Sequence, residues 1–328
     1  MDRQPATAVV LEPFSELFRS IVANVATVVR GKDSAVGLAV ICLVCEGHLL
    51  IEDVPGVGKT TLAKALARSF GLECRRIQFT PDLLPSDVTG VSLYNRDTMS
   101  FTFRPGPIFA NVVIADEINR ASPKTQSALL EAMQERQVST DDTTRPLPEP
   151  FMVVATQNPV EHEGTYPLPE SQIDRFMMRI SLGYPDKGSE MAMLDSDGGG
   201  SGDPDTLPVV ADRATVHAMI SAVKAVYAAG SLREYIVELA GATRHHPAIA
   251  LGMSPRSTLA LQRAAQGLAA STGRSYVTPD DVKTVFSSVV AHRIVLQPSL
   301  VASGTEVREI LHDIERSVRV PSGRTPAN

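Results

Sequence analysis

The chain alternates short apolar runs with longer segments in which apolar residues return every three or four positions. The longer spacing predicts amphipathic helices. The first of these helices contains Phe14, Leu17, Phe18, Ile21, Val22, Val25, Val28 and Val29. A break at Arg30, Gly31 and Lys32 precedes a second, more buried helix that ends near Cys45.

Five short apolar runs predict buried β-strands. They are HLLIEDV (48–54), RRIQF (75–79), NVVIAD (111–116), FMVVAT (151–156) and MMRISLG (177–183). Helical segments separate most of them, and apolar strands that alternate with helices form a parallel sheet covered on both faces. Two further strand-like runs around a turn at residues 95–100 predict a β-hairpin inserted between the second and third strands.

Strand patterns stop after DSDGGGSGDPD (195–205), a Gly- and Asp-rich stretch that predicts a flexible linker. The remaining patterns predict helices at 212–229, 231–244, 254–271, 279–292 and 304–318. The fourth of these helices has a good start signal, because Thr278 can serve as N-cap and a proline follows it. We therefore expect an α/β core at residues 1–185, a linker at 186–207 and an all-helical second domain at 208–328.

Composition and charge narrow the possible functions. Hydrophobic residues make up 43% of the 328 residues and charged residues 21%, as in ordinary globular proteins. The net charge of −6 argues against a surface built mainly to hold nucleic acid. The sequence shows no signal-peptide pattern, and its longest apolar stretch, 35–45, is too short to span a bilayer. We expect a cytoplasmic protein without membrane insertion, in which Cys42 and Cys45 are core residues.

The first predicted strand runs into a glycine-rich loop and then a helix, within IEDVPGVGKTTL (51–62). The usual phosphate-binding pattern, G-x-x-x-x-G-K-[ST], has glycine where this chain has Asp53. The departure falls where the strand ends, whereas residues 55–60 form most of the cradle. Backbone N–H groups near Gly56 and Gly58 can approach phosphate oxygens closely, and the following helix adds its positive N-terminus. The predicted binding residues are Val54, Pro55, Gly56, Val57, Gly58, Lys59, Thr60 and Thr61.

Polar residues at the ends of two later strands complete a candidate hydrolytic site. The third strand ends in Asp116 and Glu117. We expect Thr60 and Asp116 to hold Mg²⁺, and Lys59 to contact the β- and γ-phosphates of ATP. Glu117 is placed to polarise the attacking water as general base. The fourth strand ends in ATQNP, so Asn158 would lie beside the magnesium pair if this strand lies between the other two.

Two arginines are candidates for stabilising the transition state. Arg175 lies just before the fifth strand, and Arg256 opens a predicted helix of the second domain. A cationic group at the γ-phosphate offsets the charge that develops there. If a neighbouring subunit supplies it, hydrolysis depends on assembly. From spacing alone, either arginine could equally be a surface or ion-pair residue.

Four stretches together resemble the MoxR family of AAA+ ATPases. They are LIEDVPGVGKTTLAKALA, ADEINRASPKTQSALLEAMQE, ATQNPVEHEGTYPLPESQIDRF and ATRHHPAIALGMSPRSTLAL. The resemblance covers roughly residues 12–295, and the family commonly carries aspartate at the position of Asp53. It implies a P-loop NTPase core with strand order 5-1-4-3-2, a β-hairpin insertion matching 86–109 and a helical lid. It also implies that adenine packs near the backbone of Arg30 and Gly31.

The resemblance assigns roles to the polar residues by motif match. It implies that Asn158 is the sensor 1 residue, that Arg175 is an arginine finger acting in trans, and that Arg256 is the sensor 2 residue. Arg120 and Arg179 are lesser candidates for contacts between subunits.

The function that the resemblance implies is ATP-driven and chaperone-like. Such proteins form hexameric rings that remodel or mature protein complexes, often helping the insertion of a metal or cofactor. They frequently work with a partner that carries a von Willebrand factor A domain. No such domain follows the predicted lid, so we expect the partner to be a separate protein. No residue pattern names the client complex.

Three other functions are compatible with the residues. A motor subunit of a metal-chelatase-type complex would have closely related architecture, and only its partner would distinguish it. A DNA-acting motor would carry basic or aromatic residues on the hairpin, whereas the turn YNRDTMS holds one arginine and one aspartate. A nucleotide-gated scaffold would hydrolyse little, and the intact set of Lys59, Asp116, Glu117 and Arg175 speaks against it.

Overall fold

The structure, a computed structural model, describes residues 11–97, 99–140, 143–159, 164–195, 202–302 and 306–321. The chain forms two compact units. One comprises Leu17–Phe176 and Ile180–His217, and the other comprises the described parts of 11–16, 177–179 and 218–321. Among the described helices, none is long and apolar enough to cross a membrane.

In the described part of the chain, nine strands precede the helical part. They are β1 (Leu49–Glu52), β2 (Cys74–Gln78), β3 (Gly90–Asn95), β4 (Ser100–Pro105), β5 (Val112–Asp116), β6 (Gln137–Thr140), β7 (Thr143–Pro146), β8 (Met152–Gln157) and β9 (Met178–Ile180). Five of them form one sheet in the order β2-β5-β8-β1-β9, and β1–β8, β8–β5 and β5–β2 pair in parallel. Counted along the chain as core strands one to five, this order is 5-1-4-3-2, which confirms the predicted topology.

Helices cover this sheet, whose central strands are buried along almost their whole length. The helices of this part of the chain are α1 (Leu11–Ala26), α2 (Asp33–Val44), α3 (Lys59–Ser69), α4 (Pro85–Thr89), α5 (Pro123–Glu135), α6 (Glu170–Ile173) and α7 (Lys187–Asp195), and α8 (Arg213–Ala225) runs from the first unit into the second. All five residues of β5 are buried, as expected for a strand packed on both faces. Cys42 and Cys45 are also buried, which confirms that they are core residues.

Two antiparallel hairpins are added to the sheet. The first, β3–β4, confirms the predicted insertion, and a Cβ on Gly106 at its base would collide with the Val88 carbonyl. The second, β6–β7, was not predicted. It is short and mostly polar, with Val138 as its buried residue, so its alternation is weak as a strand signal. Arg145 of this second hairpin stacks over the Phe103 ring of the first, 3.9 Å from its centroid.

The segment that the sequence predicted as a linker, 186–207, contains regular structure. Its first part forms α7, and a single 3₁₀ turn follows at Pro204–Thr206. Residues 196–201, the most Gly-rich part of the predicted linker, lie outside the described residues. Beyond it, Val210 and Ala211 N–H groups donate to the Ser69 carbonyl at the end of α3.

The second unit is mostly helical. Its helices are α9 (Gly230–His245), α10 (Pro255–Ser271), α11 (Pro279–Val290), α12 (Pro298–Ala302) and α13 (Val307–Ser317). Thr278 caps α11 by accepting from the Asp281 N–H, which confirms the predicted helix start. The unit also holds a short antiparallel pair, β10 (Ile249–Leu251) and β11 (Val295–Leu296), that the sequence patterns did not predict. Strands of three and two residues are too short to show an alternation.

Removal of the Asp281 carboxylate is expected to destabilise this helical unit. The carboxylate is 4% exposed and accepts hydrogen bonds from Arg274 at 2.5 and 2.7 Å and from the Thr278 N–H at 2.7 Å. Asp281→Ala should lower the free energy of unfolding by about 3 kcal/mol, because it leaves a partly buried guanidinium without its counter-ion. Urea titration measures the loss, and Asp280→Ala on the same turn is the exposed control. Equal losses in the two variants would contradict the prediction.

Candidate active site

The predicted site residues follow three neighbouring strands of the sheet. Because β1, β8 and β5 run in parallel, their carboxyl ends lie at one edge, where the chain segments that follow them meet. A cavity of about 500 Å³ opens there. It is lined by Val28, Val29, Arg30, Lys32, Pro55, Gly56, Val57, Gly58, Lys59, Thr60, Thr61, Asp116, Glu117, Thr156, Asn158 and Pro185.

The loop between β1 and α3 forms one side of the cavity. Gly56 has φ +82° and Gly58 has φ +92°, and a Cβ added at either would meet nothing within 4 Å. The glycines are therefore required by backbone conformation, and residues 55–61 of the loop line the cavity. α3 begins at Lys59, so its positive N-terminal end adds to the attraction for phosphate.

Lys59 reaches back over the loop to the strand ends. Its Nζ donates to the Asp53 carbonyl at 2.6 Å and to the Gln157 carbonyl at 3.1 Å. Burial lowers the pKa of Lys59 below its usual value, and the nearby carboxylates, Asp53 foremost, oppose that shift. The amine thus lies on the loop side of the cavity, where the prediction places the β- and γ-phosphates.

Asp116 and Thr60 come together as the prediction for a magnesium site requires. Thr60 Oγ1 donates to Asp116 Oδ2 at 3.3 Å, and Thr156 Oγ1 donates to Asp116 Oδ1 at 2.6 Å. Arg76 also donates to Asp116 Oδ2, at 2.9 Å from Nε and at 2.6 Å from Nη2. A carboxylate beside a hydroxyl is a hard oxygen donor set, which fits Mg²⁺.

Glu117 is held by several neighbours at the end of β5. It adopts a left-handed backbone, with φ +55°, and its N–H donates to Thr156 Oγ1 at 2.9 Å. Its Oε2 accepts from Gln78 Nε2 and from Arg120 Nη1, each at 3.0 Å. Gln78 and Arg120 thus hold its carboxylate at the cavity that Asp116 also lines.

Three of these partners were missed by the sequence reasoning: Arg76, Gln78 and Thr156. The first two lie on β2, at the edge of the sheet, where Ile77 between them is the buried residue. The other strands of the sheet are mostly apolar, whereas β2 has polar residues on both sides of its buried residue. That pattern is the sequence signal that could have identified Arg76 and Gln78. Thr156 is the polar residue within the buried run of β8, and its complete burial is a similar signal.

Residues at the start of α2 also line the cavity, near the backbone where the prediction places the base. Arg30 and Lys32 line it from either side of Gly31, which has φ +68°. Pro185 faces it from the segment after β9. Asn158 lines the same cavity as Lys59 and Glu117, as expected if β8 lies between β1 and β5.

None of the four predicted arginines is among the cavity-lining residues. Arg175 is not among the cavity-lining residues, and its Nη1 donates to the Leu130 carbonyl at 2.5 Å. Arg256 is exposed in the first turn of α10, in the helical unit. Arg179 lies half-buried in β9. Arg120, a lesser candidate for contacts between subunits, bonds Glu117 of its own chain.

The strand order and the site together define a class of protein. A parallel sheet with a glycine loop after its first strand and an acidic pair after its third is the nucleotide-binding core of the AAA+ class. The profile of the ATPase family associated with various cellular activities (AAA) matches residues 48–178, and that of the AAA lid domain matches residues 241–314.

Similar proteins extend the match over nearly the whole chain. The Bacillus subtilis protein YeaC is 47% identical over 96% of this chain and 98% of its own. Chaperone MoxR1 of Mycobacterium tuberculosis is 40% identical over 91% of this chain and 81% of its own. A crystal structure of a Cytophaga hutchinsonii protein assigned as an ATPase superposes with a TM-score of 0.88 and 39% identity, covering 95% of this chain and 97% of that one. The chain belongs to the MoxR family of AAA+ ATPases.

Proposed function

We propose that this chain binds Mg²⁺–ATP in the cavity beside β1, β8 and β5 and hydrolyses its β–γ phosphoanhydride bond. The observation that carries the proposal is that one cavity collects the glycine loop, Lys59, the Thr60–Asp116 pair and Glu117. We propose further that hydrolysis drives a chaperone-like remodelling or maturation of protein complexes in the cytoplasm.

Each residue has a role that its position supports. Lys59 and the loop N–H groups would bind the phosphates. Thr60 and Asp116 would hold Mg²⁺, which when bound neutralises charge on the phosphate oxygens. Glu117 would orient the attacking water and take its proton, in a position fixed by Gln78 and Arg120. Asn158 would orient the same water or sense the γ-phosphate.

Assembly into a hexameric ring is part of the proposal. Arg175 lies outside the cavity of its own chain, which supports a role at the site of a neighbouring subunit. Its Nε is buried and has no hydrogen-bond partner among the described residues, so the side chain is held mainly through Nη1. Arg256 would act as the sensor 2 residue of the lid, on the strength of its motif alone.

The inserted hairpin β3–β4 favours a protein client over DNA. Tyr94, Met99 and Phe101 near its turn are 48%, 75% and 73% exposed. Exposed apolar side chains suit contact with a protein surface. DNA binding would require a cluster of basic residues, and this turn places Arg96 beside Asp97. The Mycobacterium relative is named a chaperone, which supports the same choice.

Trapping the ATP-bound ring in cells tests the proposal. Glu117→Gln is expected to hold ATP and keep its client attached, whereas Lys59→Ala, the matched control, cannot hold ATP and should release it. Proteins crosslinked to the first variant and not to the second would be the client complex and the proposed von Willebrand factor A domain partner. If the crosslinked proteins were subunits of a metal-chelatase-type complex, the chain would be the motor subunit of that complex. Recovery of DNA without protein would contradict the proposal.

A further inference from the structure

Asp53, which departs from the usual phosphate-loop pattern, is almost buried, with 8% of its surface exposed. Its Oδ2 accepts three hydrogen bonds, from Ser181 Oγ at 2.9 Å, from the Leu182 N–H at 2.6 Å and from the Gly183 N–H at 2.7 Å. Its Oδ1 accepts from the Val54 N–H at 3.0 Å. The glycine of the usual pattern would offer no acceptor to these donors.

The hydrogen bonds keep this carboxylate ionised. Burial raises the pKa of Asp53, but the hydrogen bonds from Gly183, Ser181, Leu182 and Val54 outweigh burial and leave the pKa below its usual value. Hydrogen bonds to an ionised acceptor are stronger than neutral ones. Asparagine has one acceptor oxygen and would turn an NH₂ group towards another donor, so both charge and geometry favour aspartate here.

The residues that Asp53 holds begin a stretch, 181–185, that we call the wall segment. Gly183 turns the chain with φ +61°. The Tyr184 carbonyl then accepts from Lys32 Nζ at 2.7 Å, and Pro185 lines the nucleotide cavity. The wall segment therefore lies against the start of α2, at the end of the cavity predicted for the base.

The same aspartate is also tied to the phosphate end of the cavity. Its carbonyl accepts from Lys59 Nζ at 2.6 Å, and its N–H donates to the Gln157 carbonyl at 3.2 Å. The backbone of Asp53 thus contacts the phosphate-binding lysine, and its side chain contacts the wall segment.

We propose that Asp53 is a positioning residue that fixes the wall segment beside the phosphate loop and thereby sets the affinity of the site for nucleotide. This inference rests on the proposed nucleotide-binding function of the cavity. The wall segment contacts the start of α2 rather than Glu117, so its displacement weakens contacts that ADP and ATP share. The contact with Lys59 is made by the Asp53 backbone carbonyl, so a change of the side chain keeps it. The Asp53 side chain therefore acts on nucleotide binding rather than on the cleavage step.

The test compares Asp53→Asn with Asp212→Asn. Asp212 accepts from the N–H and hydroxyl of Thr215 at the start of α8, is not among the cavity-lining residues, and also has a pKa below its usual value. The control therefore loses a hydrogen-bonded carboxylate at an exposed position elsewhere in the fold. Fluorescent ADP and ATP analogues are titrated into the purified full chain, and turnover is measured at saturating ATP.

Asp53→Asn is expected to weaken the affinity for both nucleotides about tenfold. Turnover at saturating ATP should stay within about twofold of the wild type, because the lost interaction is common to ground and transition states. Asp212→Asn should leave both affinities unchanged. Ser181→Ala removes one donor, so it should cause a smaller loss of affinity and add nothing to Asp53→Asn.

Several results would overturn the inference. One such result is a nucleotide affinity that Asp53→Asn leaves unchanged, even if the variant has a lower melting temperature. Another is a loss of affinity for ATP but not for ADP, or a loss of turnover without a loss of affinity. If Asp53→Asn does not fold, Ser181→Ala alone decides, since unchanged affinity there contradicts the wall-segment role. A folded wild-type chain that binds neither nucleotide would overturn the proposed function, and this inference with it.

Discussion

Glu117→Gln is expected to bind ATP about as tightly as the wild type and to hydrolyse it about 10²–10⁴-fold more slowly. Glutamine keeps the size of the side chain and an oxygen that can still accept from Gln78 or Arg120. It cannot accept the proton of the attacking water, so the loss falls on turnover. Phosphate release at saturating Mg²⁺–ATP, measured beside a nucleotide titration, separates the two effects.

The control for this variant is Glu131→Gln, on the exposed side of α5. It removes a carboxylate that does not line the cavity, so turnover should remain that of the wild type. If Glu117→Gln hydrolysed ATP as fast as the wild type, Glu117 would not be the general base. If the assembled wild-type protein showed no turnover above that of Glu117→Gln, the chain would be a nucleotide-gated scaffold.

Much of the core could be predicted because buried parallel strands leave a strong local pattern. β5 and β8 are apolar along their length, and the turn chemistry after β1 belongs to adjacent residues. The order of the strands came from the family resemblance, since no local pattern states which strand lies beside which. The same holds for Asn158, whose place beside Lys59 depends on β8 lying between β1 and β5.

The contacts that the sequence did not predict connect residues that are far apart in the chain. Asp53 looked like a break in a local motif, but the three donors to its Oδ2 belong to residues 181–183, and Ser181 is 128 residues away. Arg76 reaches Asp116 only because β2 pairs with β5. Such contacts follow from the register of a folded sheet, which the pattern of single segments does not contain.

The position of Arg175 supports a site shared between two subunits. The residue precedes β9 and bonds the Leu130 carbonyl of α5, outside the cavity of its own chain. Arg120, in contrast, bonds Glu117 of the same chain at 3.0 Å. We therefore expect opposite results when a variant of each arginine is mixed with Glu117→Gln.

Arg175→Ala is expected to keep ATP binding and to lose hydrolysis by about 10³–10⁵-fold, as for other arginine fingers. Mixing it with Glu117→Gln should restore part of the activity. At each interface where an Arg175→Ala subunit binds the nucleotide and a Glu117→Gln neighbour supplies Arg175, the site is complete. In an equal mixture in a ring of head-to-tail contacts, about a quarter of the interfaces have this arrangement. Steady-state phosphate release across a series of mixing ratios measures it.

Arg120→Ala provides the matched comparison for that mixture. Because Arg120 bonds the glutamate of its own chain, a Glu117→Gln neighbour cannot replace it, and the mixture of Arg120→Ala with Glu117→Gln should stay as slow as its components. If Glu117→Gln restores activity when mixed with Arg175→Ala but not when mixed with Arg120→Ala, Arg175 acts at the site of a neighbouring subunit. The contrary result is a mixture of Arg175→Ala and Glu117→Gln that stays inactive at every ratio, although the rings are shown to exchange subunits. Arg175 would then act at the site of its own chain or have no part in hydrolysis.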